Sequence, residues 1–170
     1  MQKTEWFKRK FSAIEDNGML PVVIERLSGT PARLEEMIGQ LDPQMLTKKS
    51  AEKWTIKEEI GHLSDLEPLW LGRLEDLING SAELRVTDLT NQKTHTANHN
   101  AAETKVLLRR FREERERFVS RLKSLDDEKL TNSSLHPRLK TPMRVIDLTY
   151  FVAEHDDHHL ASIREICGWG

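Results

Sequence analysis

Apolar residues recur along most of this chain at intervals of three and four, the spacing that gathers side chains on one face of an α-helix. Leu34, Met37, Ile38 and Leu41 form the first sustained stripe. Before them, Thr30-Pro31 sets a capping residue against a proline at the first helical position, so the pattern predicts a break at Gly29 and a helix from there to about residue 41. Two shorter helices are expected upstream, over residues 4–12 and 20–28. A second stripe, Ile56, Ile60, Leu63, Leu66, Leu69 and Leu74, opens at the capping-box sequence Thr55-Ile-Lys-Glu58 and closes near Asn79-Gly80. Pro68 removes the amide that would bond to the carbonyl of Ser64, which predicts a kink just after His62. Residues 80–100 form a long polar connection, of a length that often carries function. Leu107, Phe111, Phe118 and Leu122 mark a third helix over about 101–124, its apolar face interrupted by Glu114 and Arg115. The simpler expectation for Arg115 is that it snorkels to the surface or pairs with a nearby acid; the sharper one is a polar group aimed into a pocket. A fourth helix is expected to start at Thr141-Pro142 and end near Cys167-Gly168. No convincing alternating strand appears. The fold class that follows is all-α: a four-helix bundle with extra short N-terminal helices, in one domain spanning 1–170.

Composition narrows the function. Lys and Arg number 26 against 28 Asp and Glu, a net charge of −2, which gives no electrostatic reason to expect nucleic acid. The run Arg109 to Arg117 alternates in sign and reads as a solvated helix face. No apolar run approaches the roughly 20 residues that cross a bilayer, and the first ten residues hold no apolar signal core. Cys167 is the single cysteine, so no internal disulfide can form, and it reads as a packing residue. The expectation is a cytoplasmic protein without membrane or nucleic-acid partners.

The candidate chemistry lies in the last helix. Its stripe reads Leu148, Val152, His155, His159, Ile163, Ile166, so two imidazoles four residues apart share the inward face. A buried imidazole needs a partner for both its donor and its acceptor. A metal ion shared by both rings satisfies the acceptors together, whereas two satisfied core histidines are the plainer alternative. A third ligand must come from elsewhere, and His62, in the middle of the second helix beside Gly61, is the candidate. Three neutral nitrogens with a fourth position open suit one divalent ion per chain, Zn²⁺ or Ni²⁺ first, Fe²⁺ or Mn²⁺ next. His158 and Asp156 are candidates to support these ligands from behind. His95, His99 and His136 lie in loops that nothing in the sequence brings to the site. Two rival metal readings stand beside this one. His155-Asp-Asp-His-His159 is similar to a zincin motif with aspartate in place of the general-base glutamate. Glu59-x-x-His62 and Asp156-x-x-His159 approximate a di-iron bundle, for which Glu36 and Glu114 would be drafted.

These residues resemble the DinB-like/YfiT superfamily of helical metal-binding proteins. The resemblance rests on Lys53-Trp54-Thr-Ile-Lys-Glu58, Ile60-Gly-His-Leu-Ser-Asp65, Glu67 to Trp70, Arg73-Leu74, and Glu154-His-Asp-Asp-His-His-Leu-Ala-Ser-Ile163. It implies a bundle with long crossover connections, a homodimer, and a divalent metal held at His62, His155 and His159. It further implies one of two activities: transfer of a low-molecular-weight thiol to an electrophile, or metal-dependent hydrolysis. A thiol at the open position would lose its proton, and so would a water, so the ligands do not choose between them. A non-catalytic metal-binding stress protein is the third reading. No residue is assigned as the catalytic acid or base from the sequence.

Overall fold

Four long helices carry the apolar stripes in the computed structural model, which describes residues 3–49 and 53–169: α1 (Leu20–Gly39), α2 (Ile56–Ile78), α4 (Thr104–Lys123) and α6 (Val145–Cys167). Two short helices, α3 (Gln92–Thr96) and α5 (Asp127–Leu130), lie in the connections. Both α4 and α6 pack against α1 and α2, which leaves α1 diagonal to α2 and α4 diagonal to α6. The α1–α2 and α4–α6 connections therefore cross the bundle rather than joining neighbours.

The sequence reading of the N-terminus needs correction. Of residues 4–12, only Trp6–Lys8 forms a turn of 3₁₀-helix, and residues 20–28 are the first part of α1, which runs on through Gly29 and Pro31. Pro31 cannot donate to the carbonyl of Leu27. That carbonyl is reached instead by Arg115 Nη1 from α4, at 3.4 Å, and the neighbouring Arg26 carbonyl accepts from Arg33 Nη2, also at 3.4 Å. Side chains close the gap that the proline opens, so the helix does not break.

The capping box at Thr55 forms as expected, with the Thr55 side chain accepting from Glu58 N and the Glu58 carboxylate accepting from Thr55 N. Helix α2 continues through Pro68. Thr141-Pro142, by contrast, does not start the last helix. Pro142–Arg144 is a strand (β2), paired antiparallel with Ser133–Leu135 (β1), and α6 starts at Val145 with Asp147 accepting from the Arg144 amide. Strands of three residues are too short for alternation to register, which is why the sequence pattern gave no sign of them. Gly168 ends α6 in the left-handed region at φ 71°, where glycine carries no Cβ penalty.

The polar connection folds against α2. Thr94 and His99 are buried, and the His99 ring lies over Gly61. A Cβ on residue 61 would overlap that ring. Gly61→Ala is accordingly expected to cost about 1–3 kcal/mol, the usual range for overpacking. Thermal denaturation measures it, and an unchanged Tm would show that the loop yields without cost.

Two apolar clusters hold the bundle. One contains Leu27, Leu74, Phe118 and Leu148; the other contains Leu34, Ile60, Phe111 and Ile163. Between them each helix contributes one polar residue at the same level: Thr30, Glu67, Arg115 and Asp156, all buried. Arg115 Nη2 donates to Glu67 Oε1 at 2.5 Å and Asp156 Oδ1 at 2.9 Å, while Thr30 Oγ1 donates to Asp156 Oδ2 at 3.0 Å. Arg115 therefore does not snorkel. It pairs with acids in the middle of the bundle.

Candidate metal centre

Because α2 and α6 are neighbours, the inward faces that carry His62 and the pair His155 and His159 meet. One ring nitrogen from each lies within 4.8 Å of the other two, and all three residues are buried. No other such triple occurs among the described residues. The Nε2 atoms of His155 and His159 stand 3.1 Å apart. Two nitrogens on one tetrahedral ion with bonds of 2.0–2.1 Å lie roughly 3.3 Å apart, so the spacing is close to what a shared cation requires.

For His62 the opposite ring nitrogen fixes which atom faces inward. His62 Nδ1 lies 3.0 Å from Thr94 Oγ1, and that hydroxyl donates to Asp65 Oδ2 at 3.0 Å. A hydroxyl that donates to the carboxylate accepts from the ring, so the His62 proton is on Nδ1 and Nε2 presents a lone pair. His99 Nε2 donates to the same Asp65 oxygen at 2.8 Å and holds it in place. His159 Nδ1 meets Glu59 Oε2 at 2.5 Å. Carboxylate or hydroxyl partners behind the rings are the usual means of orienting histidine ligands.

Electrostatics point the same way. Burial, reinforced by the neighbouring imidazoles, holds His62 and His155 far below the ordinary histidine value; burial also lowers His159 to about 4. The rings are neutral, as ligands must be. Burial pushes Glu59 up to about 8, and among the described residues it forms no ion pair with lysine or arginine. At that value Glu59 is a neutral acid at pH 7 in the metal-free protein, and a divalent ion on the far side of His159 would favour its ionised form. The donor set and its charge fit a divalent metal.

The metal-free protein has a distinctive pH profile. His136 and His158 are also lowered to about 4, by burial first. Five histidines with folded pKa values below 6.5 stabilise the fold fully above 6.5, and this is lost as pH falls through the folded values. Glu59 and Glu67, raised by burial to about 8 and about 7, act oppositely, destabilising as pH rises through those values. Metal-free Tm is therefore expected to peak near pH 6.5 and to fall more steeply on the acid side. A profile flat from pH 4.5 to 6.5, measured by calorimetry in chelator, would contradict the buried neutral rings.

The histidines form one wall of a cavity of about 450 Å³. Trp6, Trp54, Trp70, Leu66, Leu69 and Phe151 supply its aromatic and aliphatic lining. Trp54 lies over His62 with ring centroids 4.6 Å apart, and Trp6 and Trp70 meet His155 at 5.0 and 5.4 Å.

Other sequence candidates fall elsewhere. His158 is half-buried and lines the cavity, its ring 5.5 Å from that of His159. Asp156 does not support a ligand by a hydrogen bond. It faces the other way, into Arg115, and influences His159 through its charge alone. That orientation also removes the zincin base. The di-iron reading loses its acids: Glu36 bonds Gln40, and Glu114 bonds Arg110. Glu59, read from the sequence only in that rival motif, orients His159 instead. Thr94, Asp65 and His99 were not foreseen. His99 and Thr94 come from the polar connection, where periodicity carries no information about what folds back.

The fold has a counterpart among known structures. YfiT from Bacillus subtilis, described as a probable metal-dependent hydrolase with an unusual four-helix bundle topology, superposes with a TM-score of 0.79 at 20% identity, covering 93% of this chain and 91% of that one. At that identity the likeness concerns the fold. No curated protein matches the sequence. Residues 26–163 match the DinB superfamily, a span that includes all three converging histidines and all four long helices except the first turns of α1 and last residues of α6. The chain belongs to the DinB superfamily.

Proposed function

We propose that this protein is a divalent-metal-dependent enzyme acting on small organic molecules, and that its reaction is transfer of a low-molecular-weight thiol to an electrophile. One observation carries the reading: three neutral imidazoles bring ring nitrogens within 4.8 Å of one another at the wall of an aromatic-lined cavity of about 450 Å³, far larger than a water needs. A divalent ion there supplies Lewis-acid activation, lowering the pKa of a thiol or water at its open position.

The chain's residues do the rest. Thr94 and Asp65 keep the His62 proton on Nδ1, and Glu59, in the ionised form that a bound divalent ion would favour, keeps that of His159 on its Nδ1. Trp54, Trp6 and Trp70 exclude water from the nucleophile and present an apolar surface to the electrophile. His158 has a neutral ring at the cavity and accepts the thiol proton on a ring nitrogen, while sulfur bonds to carbon and the leaving group departs with its electron pair.

Hydrolysis is the second reading, favoured by the description of YfiT and by the same histidine acting on water. Elemental analysis of freshly purified protein, followed by thiol-consumption assays across a panel of electrophiles, tests the first. Ester and amide cleavage with thiol omitted tests the second. Turnover in the thiol-free panel alone would replace the transfer reading with hydrolysis.

A further inference from the structure

At the end of the cavity away from Glu59, three proton donors meet without an acceptor. Arg73, on α2, is buried to 1% exposure and makes no ion pair among the described residues. Its Nε donates to the carbonyl of Arg85 at 3.1 Å, and its Nη1 lies 3.2 Å from His136 Nε2. The backbone amides of Arg138 and Leu139 both donate to His136 Nδ1, at 3.2 Å each. That places the proton of the neutral ring on Nε2, so Arg73 and His136 confront each other donor against donor. Arg138, in the connection between β1 and β2, adds a second guanidinium whose Nη2 is buried without a partner. All three residues line the same cavity as His62, His155 and His159.

Nearby carboxylates are already engaged. Asp76 accepts from Arg85 through its backbone amide, Nε and Nη2; Asp88 caps its own turn at Thr90 and Gln92; Glu83 pairs with Lys140. Arg73 thus stands buried and Arg138 half-buried, neither with a counter-charge among the described residues. Burial and the mutual repulsion of the pair lower Arg73 to about 10. An isolated buried cation is costly and persists in a fold only where something offsets it.

We propose that Arg73, Arg138 and His136 form an anion-binding subsite, and that the substrate carries a carboxylate or phosphate there while its reacting end lies at the three histidines. This rests on the reading of the cavity as the substrate site. The two ends are one indole apart: Trp70 lies 5.4 Å from the His155 ring and 5.6 Å from the Arg73 guanidinium. A small molecule with an anionic group and a short apolar body spans that distance against Trp70 and Phe151. Planar guanidinium forks suit both oxyanions. The subsite also explains why the fold keeps Arg73 charged and unpaired, whereas Arg115 is fully neutralised.

Calorimetric titration of zinc-loaded protein with benzoate, phenyl phosphate and neutral benzamide tests this. The anions are expected to bind at least about tenfold more tightly than benzamide, the smaller effect of losing a charge-assisted contact. Whichever anion binds more tightly identifies the oxyanion. Arg138→Gln is expected to lose that preference while retaining zinc and benzamide affinity. Arg73→Met is expected to keep or raise Tm without ligand and to abolish the Tm rise that phenyl phosphate gives the wild type. Equal affinities for benzoate and benzamide, or Arg138→Gln binding anions like the wild type, would overturn the subsite. So would a large drop in the ligand-free Tm of Arg73→Met, which would give that charge a structural role. Zinc retention is read separately by elemental analysis: anion preference in protein that takes up no zinc sinks the metal-dependent reading and leaves the subsite standing.

Discussion

Arg115→Leu is expected to destabilise the protein by about 3–5 kcal/mol, the cost of leaving buried charges without their partner. At roughly 2–4 °C per kcal/mol for a chain of this size, Tm falls by about 6–20 °C. The reason is the layer of polar residues that crosses the bundle between its two apolar clusters. Arg115 is the single cation there, and it bonds both Glu67 and Asp156. Without it two carboxylates lie buried together, and the Leu27 carbonyl, already deprived of its helical donor by Pro31, loses its remaining partner. Glu67 is raised to about 7 by burial even with the arginine present. In the variant the Glu67 carboxyl rises further, so acidification toward pH 5 relieves part of the loss. Replacing Glu67 and Asp156 as well, by glutamine and asparagine, is expected to recover much of it. A Tm within about 2 °C of the wild type for Arg115→Leu alone would mean that water reaches the layer.

His159→Ala is expected to lose metal uptake and turnover together. The ring is one of three donors, and its removal leaves two, fewer than a divalent site in this cavity needs. Glu59→Gln provides the graded comparison. It leaves the three rings in place but weakens the partner of His159 Nδ1, and a loss of 10–100-fold in metal affinity is the usual size of that effect. Equilibrium dialysis against zinc measures both. Thiol consumption that persists in metal-free His159→Ala protein would exclude the proposed chemistry.

The bundle and the converging histidines were legible because they rest on one physical signal. Stripes at i, i+3 and i+4 mark inward faces, and a histidine interrupting such a stripe has to point inward. His62, His155 and His159 could be found that way, and so could Arg115, whose place on the Phe111–Phe118 face was visible although its depth was not. What periodicity misses is tertiary compensation. Thr30-Pro31 has the local form of a helix start, but a guanidinium from α4 supplies the donor that the proline lacks. Thr141-Pro142 has the same form and leads into a strand, since pairing with Ser133–Leu135 outweighs a cap. Thr94 and His99 support the site from a segment with no pattern at all. The anion-binding end proposed for the cavity was equally hidden: Arg73 reads as one more charge on an amphipathic helix until its lack of an ion pair among the described residues is seen.

Three of the four tryptophans, Trp6, Trp54 and Trp70, ring the histidines, with centroids no more than 6.1 Å from one of those imidazoles. The protein thereby carries its own optical gauge. Ni²⁺ or Cu²⁺ seated among those rings would quench most of the intrinsic emission, while Zn²⁺ would leave it bright, so occupancy can be followed in a cuvette without a label.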